Sequence, residues 1–255
     1  MTTDDGGHRE TAVAALAERR YEVAGDAYTR AGRRVLADPR PDADPFADDE
    51  QGWVGDGLAH LVTAALAYRV ADRADRATRR AVEGAAIARD LENALSHPVQ
   101  QACLAALVAD FRVAGGLDGA DDAYAEAVER FEAAGKSIDA PREWATTPLF
   151  EAAGAPIAQV ARGFADGEIA VGWEELHGSD PDDPGAFLAE RARYRRRRFP
   201  SLVERAIDEG HLAAPRGTTE YATDRYECPA CGSADINRVA GAVLCLRCSR
   251  PTERV

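Results

Sequence analysis

Tyr21-Glu22-Val23-Ala24-Gly25-Asp26-Ala27-Tyr28-Thr29-Arg30-Ala31 sets an aromatic, an alanine three residues on, an aromatic four further and an alanine three beyond that. Steps of three and four place Tyr21, Ala24, Tyr28 and Ala31 on one face of an α-helix. The same spacing returns in Tyr124-Ala125-Glu126-Ala127-Val128-Glu129-Arg130-Phe131-Glu132-Ala133-Ala134. Working outward from the first stretch, Ala12, Ala15 and Leu16 extend the helical pattern to about 10–36, and a break near Arg20 divides it into a hairpin of two helices. Three prolines and repeated aspartates make 38–52 a loop. Residues 53–95 return to helix through Trp53, Leu58, Leu61, Val62, Leu66, Ala81, Ala85 and Leu91. Pro98 opens another helix that Gly115-Gly116 ends, and 119–134 forms the next. Two or three shorter helices, broken near Gly154 and Gly167, follow over 141–177, then one from Gly185 to about Arg197 and one from Pro200 to Gly210; 213–226 reads as irregular. The fold class is mainly α.

The two quoted stretches resemble the second helix of a tetratricopeptide repeat, and Tyr21 and Tyr124 stand 103 residues apart, against about 102 for three periods of roughly 34 residues. In that family the small residues let paired helices approach and the aromatics fill the gap between repeats. The first-helix signature is weak, with only Phe111 and Gly115 near the expected places. Two architectures therefore stand side by side: a tetratricopeptide-like helical array, or an irregular helical bundle. The resemblance implies a concave, protein-binding surface.

Residues 227–255 obey a different grammar. Cys228-Pro229-Ala230-Cys231-Gly232 is followed by Cys245-Leu246-Arg247-Cys248. Two pairs of thiolates, each pair two residues apart, suit a tetrahedral metal ion. Gly232 permits the turn after the first knuckle, and Ile236–Val239 pairs with Ala242–Leu244 around Ala240-Gly241. This pattern resembles a four-cysteine zinc ribbon. It implies structural Zn²⁺ held by Cys228, Cys231, Cys245 and Cys248, with iron as the alternative metal and disulfides as the alternative pairing. Four protein ligands leave no open catalytic position. The expected segmentation is a helical domain over 1–180, a basic helical segment and linker over 181–225, and the ribbon over 226–255.

Charge divides along the same line. The chain of 255 residues has a formal net charge of −13, the sum of −18 over residues 1–190 and +5 over 191–255. A ZnS₄ centre adds a formal −2 and trims the tail to about +3. Acidic excess, a single lysine at Lys136 and about a fifth alanine resemble proteins of extreme halophiles, haloarchaea above all. The N-terminus has no basic flank and apolar run, and no stretch is long enough for a membrane span, so a cytoplasmic protein without membrane partners is expected.

Arg191, Arg193, Arg195, Arg196, Arg197 and Arg198 form the densest cationic run, and Arg238, Arg247, Arg250 and Arg254 lie on or beside the ribbon. Two readings compete. In one, Arg193, Arg195, Arg196, Arg197, Arg198, Arg238 and Arg247 contact nucleic acid phosphates. In the other, the run is a solvated helix end facing acidic side chains. Cys103, among alanines and leucines, reads as a buried thiol. His8, His60, His97, His177 and His211 have no ligand spacing, and no phosphate-loop, dinucleotide or nucleophile-elbow motif occurs. The expected function is non-enzymatic: an interaction or adaptor protein whose helical domain holds a protein partner. The alternative is a nucleic-acid-associated regulator acting through the ribbon and the arginine-rich segment.

Overall fold

A computed structural model describes residues 6–37 and 52–255. The loop expected over 38–52 lies outside these residues, apart from Gly52, and so do the first five residues. Nine α-helices, five short strands and a C-terminal cluster of four cysteines occur among the described residues.

The helices are α1 (His8–Ala17), α2 (Tyr21–Ala37), α3 (Gly52–Val70), α4 (Ala74–Ala94), α5 (Pro98–Gly115), α6 (Ala120–Ala134), α7 (Pro141–Ala145), α8 (Pro148–Arg162) and α9 (Pro184–Asp208). The break near Arg20 is made by Arg19, whose φ of 63° is left-handed. The continuous pattern over 53–95 is likewise two helices, because Asp72 turns left-handed at φ 56° between α3 and α4. Short connections of this kind force successive helices to pack side by side.

The aromatic–alanine faces are the packing faces. Tyr21, Ala24, Tyr28 and Ala31 of α2 are buried, as are Tyr124, Ala127, Phe131 and Ala134 of α6. On α4 the matching face is all small: Ala77, Ala81, Gly84 and Ala88. Phe111 of α5 lies against it so closely that a Cβ on Gly84 would stand 2.2 Å from the ring. Consecutive helices pair from α1 to α6, and α3 also touches α5. Guanidinium–carboxylate pairs lace the outer helices together, as where Arg33 of α2 donates to both Glu83 oxygens of α4 at 2.8 and 2.9 Å.

Among the described residues, the later helices pack back onto the earlier ones. α8 lies against α3 and α5, and α9 lies against α6, α5 and α3. These later helices cover α3 and α5, and α5 is buried along nearly its whole length. The physical reason is the apolar character of α3 and α5 on all sides, which demands cover. Residues 181–225 accordingly do not stand apart: α9 is part of the helical body. α9 also runs unbroken through Pro200, where two helices were expected. Proline removes one backbone hydrogen bond, but Phe199, Leu202 and Val203 are buried on either side and keep the helix continuous through it.

The C-terminal region contains β1 (Thr218–Glu220), β2 (Tyr226–Glu227), β3 (Ile236–Val239), β4 (Ala242–Cys245) and β5 (Glu253–Arg254). The first sheet has the order β1-β3-β4, all antiparallel, and β2 pairs with β5. The β3–β4 hairpin turns at Ala240 and Gly241, both at positive φ, the mirror-image turn that suits strand twist. β1 lies within the stretch that reads as irregular.

Candidate metal centre

Each cysteine pair sits on a matched turn. Gly232 N–H donates to the Cys228 carbonyl at 2.8 Å, and Ser249 N–H donates to the Cys245 carbonyl at 3.0 Å. The residue after each second cysteine, Gly232 and Ser249, has a positive φ of 69° and 59°. Antiparallel β3 and β4 carry the second turn back over the first. The four Sγ atoms all lie within 4.8 Å of one another, and Cys228–Cys248 and Cys231–Cys245 are each 3.6 Å apart. Tetrahedral thiolates about 2.3 Å from a zinc ion are separated by roughly 3.8 Å, so this donor set fits a four-sulfur metal site. Hydrogen bonding from Cys248 draws the Cys245 thiol down to about 5, and the same contact pushes the donating Cys248 thiol up. Cys228 and Cys245 are buried and Cys231 is exposed, so the cluster has an inner and an outer side.

The inner side is docked. Val239 and Leu244 of the hairpin pack with Ala214 against Val13 and Ala17 of α1. Behind them the linker over 211–217 is pinned by side chains. Gln159 of α8 donates to the Ala213 carbonyl at 2.8 Å, and Arg162 donates to the carbonyls of Ala214 and Gly167 at 2.6 and 2.8 Å. Burial, and then the neighbouring Arg216, pull the Arg162 guanidinium down to about 10. Asn237, wholly buried in β3, accepts from Gly217 N–H at 2.7 Å and donates to the Pro215 carbonyl at 3.0 Å. Ser249 Oγ accepts from Ala214 N–H at 3.1 Å, so the second knuckle is itself tied to the linker. At Gly167 the ribbon backbone comes closer still: a Cβ there would meet the Leu246 carbonyl oxygen at 1.6 Å, and φ is +77°. These tethering residues escape a motif search. A buried Asn within a β-prone run was the available signal at Asn237; Gln159, Arg162 and Gly167 had none.

The cationic candidates are not gathered into one surface. Arg195 is buried with Arg191 inside the helical body and pairs with Asp110 at 2.8 Å, so it is out of reach of a nucleic acid; its place on the phosphate-contact list is corrected by burial. Arg193 pairs with Glu132, Arg196 with Asp121, and Arg197 with Glu190 at 2.6 Å. Arg198 is exposed on α9. Arg238 donates to Glu220 at 2.7 Å and lies over the Tyr226 ring. Arg247 is held by Asp235 and Glu168 at 2.8 and 3.1 Å. Much of the local positive charge is therefore met by internal carboxylates. Cys103 is buried, and burial pushes its thiol up.

No protein-family model, curated protein or solved structure matches this chain. Among the described residues, no helix is long and apolar enough to cross a membrane.

Proposed function

We propose that this is a non-enzymatic interaction protein in which a Zn²⁺-loaded ribbon, fused to a helical body, presents a protein-docking surface at the seam between them. The observation that carries the reading is the character of that seam. Ile169 and Tyr221 are 68% and 52% exposed on either side of Glu168, whose carboxylate accepts from the Tyr221 hydroxyl at 2.9 Å and pairs with Arg216 and Arg247. Large apolar side chains held open on a rigid, charge-rimmed support suit a protein partner better than a phosphate backbone. The pairing of Arg238 and Arg247 with carboxylates argues in the same direction.

Zinc is the metal we assign, because four thiolates in a closed site favour it and leave no position for substrate. Metal analysis of the purified chain is expected to give close to one equivalent of zinc; less than about half an equivalent of any metal removes the ribbon reading, and iron in its place removes the zinc assignment. For the docking surface, the full zinc-loaded chain and its Ile169→Asp/Tyr221→Asp variant serve as paired baits in native-salt lysate. A protein held by the former and lost from the latter is the expected result. Identical captures sink the seam as an interface. Steeply salt-dependent binding of the wild-type chain to DNA or RNA supports the nucleic-acid regulator instead.

A further inference from the structure

α9 carries two arginines, one helical turn apart, into the middle of the helical body. Arg191 and Arg195 are 1% and 0% exposed. Arg195 Nη1 donates to Asp110 Oδ2 at 2.8 Å, and the other Asp110 oxygen accepts from the Tyr124 hydroxyl at 2.5 Å. Each Asp110 oxygen therefore already accepts a hydrogen bond. Among the described residues Arg191 has no carboxylate partner: Nη2 donates to the Phe150 carbonyl at 2.8 Å and the guanidinium lies over the Phe150 ring. Four buried N–H positions, Nε and Nη1 of Arg191 and Nε and Nη2 of Arg195, have no hydrogen-bond partner among the described residues.

The charges do not balance. Among the described residues, two guanidiniums face one carboxylate. The remaining neighbours, Tyr124, Cys103 and His177, are held neutral: burial raises Tyr124 and Cys103, and burial lowers His177 to about 4. Burial and Arg195 pull Arg191 down only to about 9, so it keeps its charge at neutral pH. A buried cation without a counter-ion is among the costliest groups a fold can hold, and arginine does not escape by losing its proton in this range.

We infer that the α5–α8–α9 core binds a small monovalent anion of halide size, held by the free N–H groups of Arg191 and Arg195. One negative charge neutralises the excess of one, and buried N–H donors left without a partner on two neighbouring guanidiniums are what such an ion would satisfy. The near-zero exposure of both arginines excludes a ligand of metabolite size and makes the anion an integral part of the folded core. His177 Nδ1 donates to the Trp173 carbonyl at 2.7 Å, which leaves Nε2 as a buried, unpartnered lone pair. That atom takes a donor, so a water beside the anion is consistent with the site.

The test is thermal unfolding of the full zinc-loaded chain as sodium gluconate is replaced by sodium chloride at constant ionic strength. Wild type is expected to gain several degrees in Tm with single-site saturation, as for any ligand bound only by the native state. Arg191→Met, similar in length and uncharged, is expected to lose that dependence while sharing all general salt effects. Equal chloride dependence in the two proteins overturns the inference. Should Arg191→Met fail to fold, crystals of wild type grown in bromide decide the matter. An anomalous peak within hydrogen-bond distance of Arg191 Nε or Nη1 supports the site, and water or nothing there overturns it.

Discussion

Single residues in the core carry consequences out of proportion to their size. Asp110 is a buried carboxylate paired with Arg195, one of two buried guanidiniums on α9. Asp110→Ala strips the counter-charge from Arg195 and the acceptor from Tyr124, and urea unfolding is expected to show a loss of about 3–5 kcal/mol, the usual cost of breaking a buried pair from one side. The histidines give a pH signature. Burial depresses both His177 and His211 to about 4, with Arg191 and Arg19 as the next causes. Between about pH 6.5 and 4 the unfolded chain binds protons that the folded chain refuses, so stability rises with pH through that window and levels off above it. Urea midpoints measured from pH 4 to 8 check the sign; a midpoint that is flat or falling as pH rises from 4 to 6.5 contradicts it. Charge counting along α9 did not reveal the buried arginines, yet spacing held a clue. Leu188, Ala192, Phe199 and Leu202 form a buried stripe at steps of three, four and seven residues, and Arg195 fills the vacant place in it. Counting cations in a run treats them alike, whereas the helix sorts them by face.

Elements were legible where local chemistry dictated them. The hairpin of β3 and β4 follows from cysteine spacing and an Ala-Gly turn, and both knuckles and strands fall where that spacing puts them. Helix existence followed from alanine and leucine periodicity. What local reading could not supply was tertiary cover. Pro200 reads as a stop until Phe199 and Leu202 are known to be buried, and β1 has only three residues, too few for a period. At this scale the four-cysteine cluster and the linker both hold the ribbon. Chelation, or Cys228→Ser, is expected to abolish hydrogen-exchange protection in β3 and β4 while leaving helical circular dichroism largely intact. Loss of the helical signal on chelation contradicts a body that stands on its own core. Gly167→Ala is expected to act from the opposite side of the joint. The added methyl meets the Leu246 carbonyl and forces an L-residue into left-handed backbone, costing roughly 2 kcal/mol or more in urea unfolding. An unchanged midpoint means the ribbon is not clamped there.

For the whole molecule, the net −13 is spread over a surface whose arginines are already partnered with carboxylates in many places. Exposed pairs of that kind contribute little each, so the surplus acidity dominates the response to salt. Raising sodium chloride from about 0.05 to 1 M shortens the screening length from beyond 10 Å to about 3 Å, and Tm is expected to rise. A fall in Tm means the ion pairs outweigh the repulsion. The segregation of −18 and +5 along the sequence does not survive as two bodies, because α9 carries its arginines back among the acids of α6. The contact between Val13 of α1 and Leu244 of β4 also has a meaning in time. On the ribosome α1 emerges long before its cover is made. At about 5–20 residues per second, roughly 10–50 s pass between synthesis of the two residues. Through that interval Val13 and Ala17 stay uncovered, and the last coat of the helical body waits on the four-cysteine hairpin that is made after it.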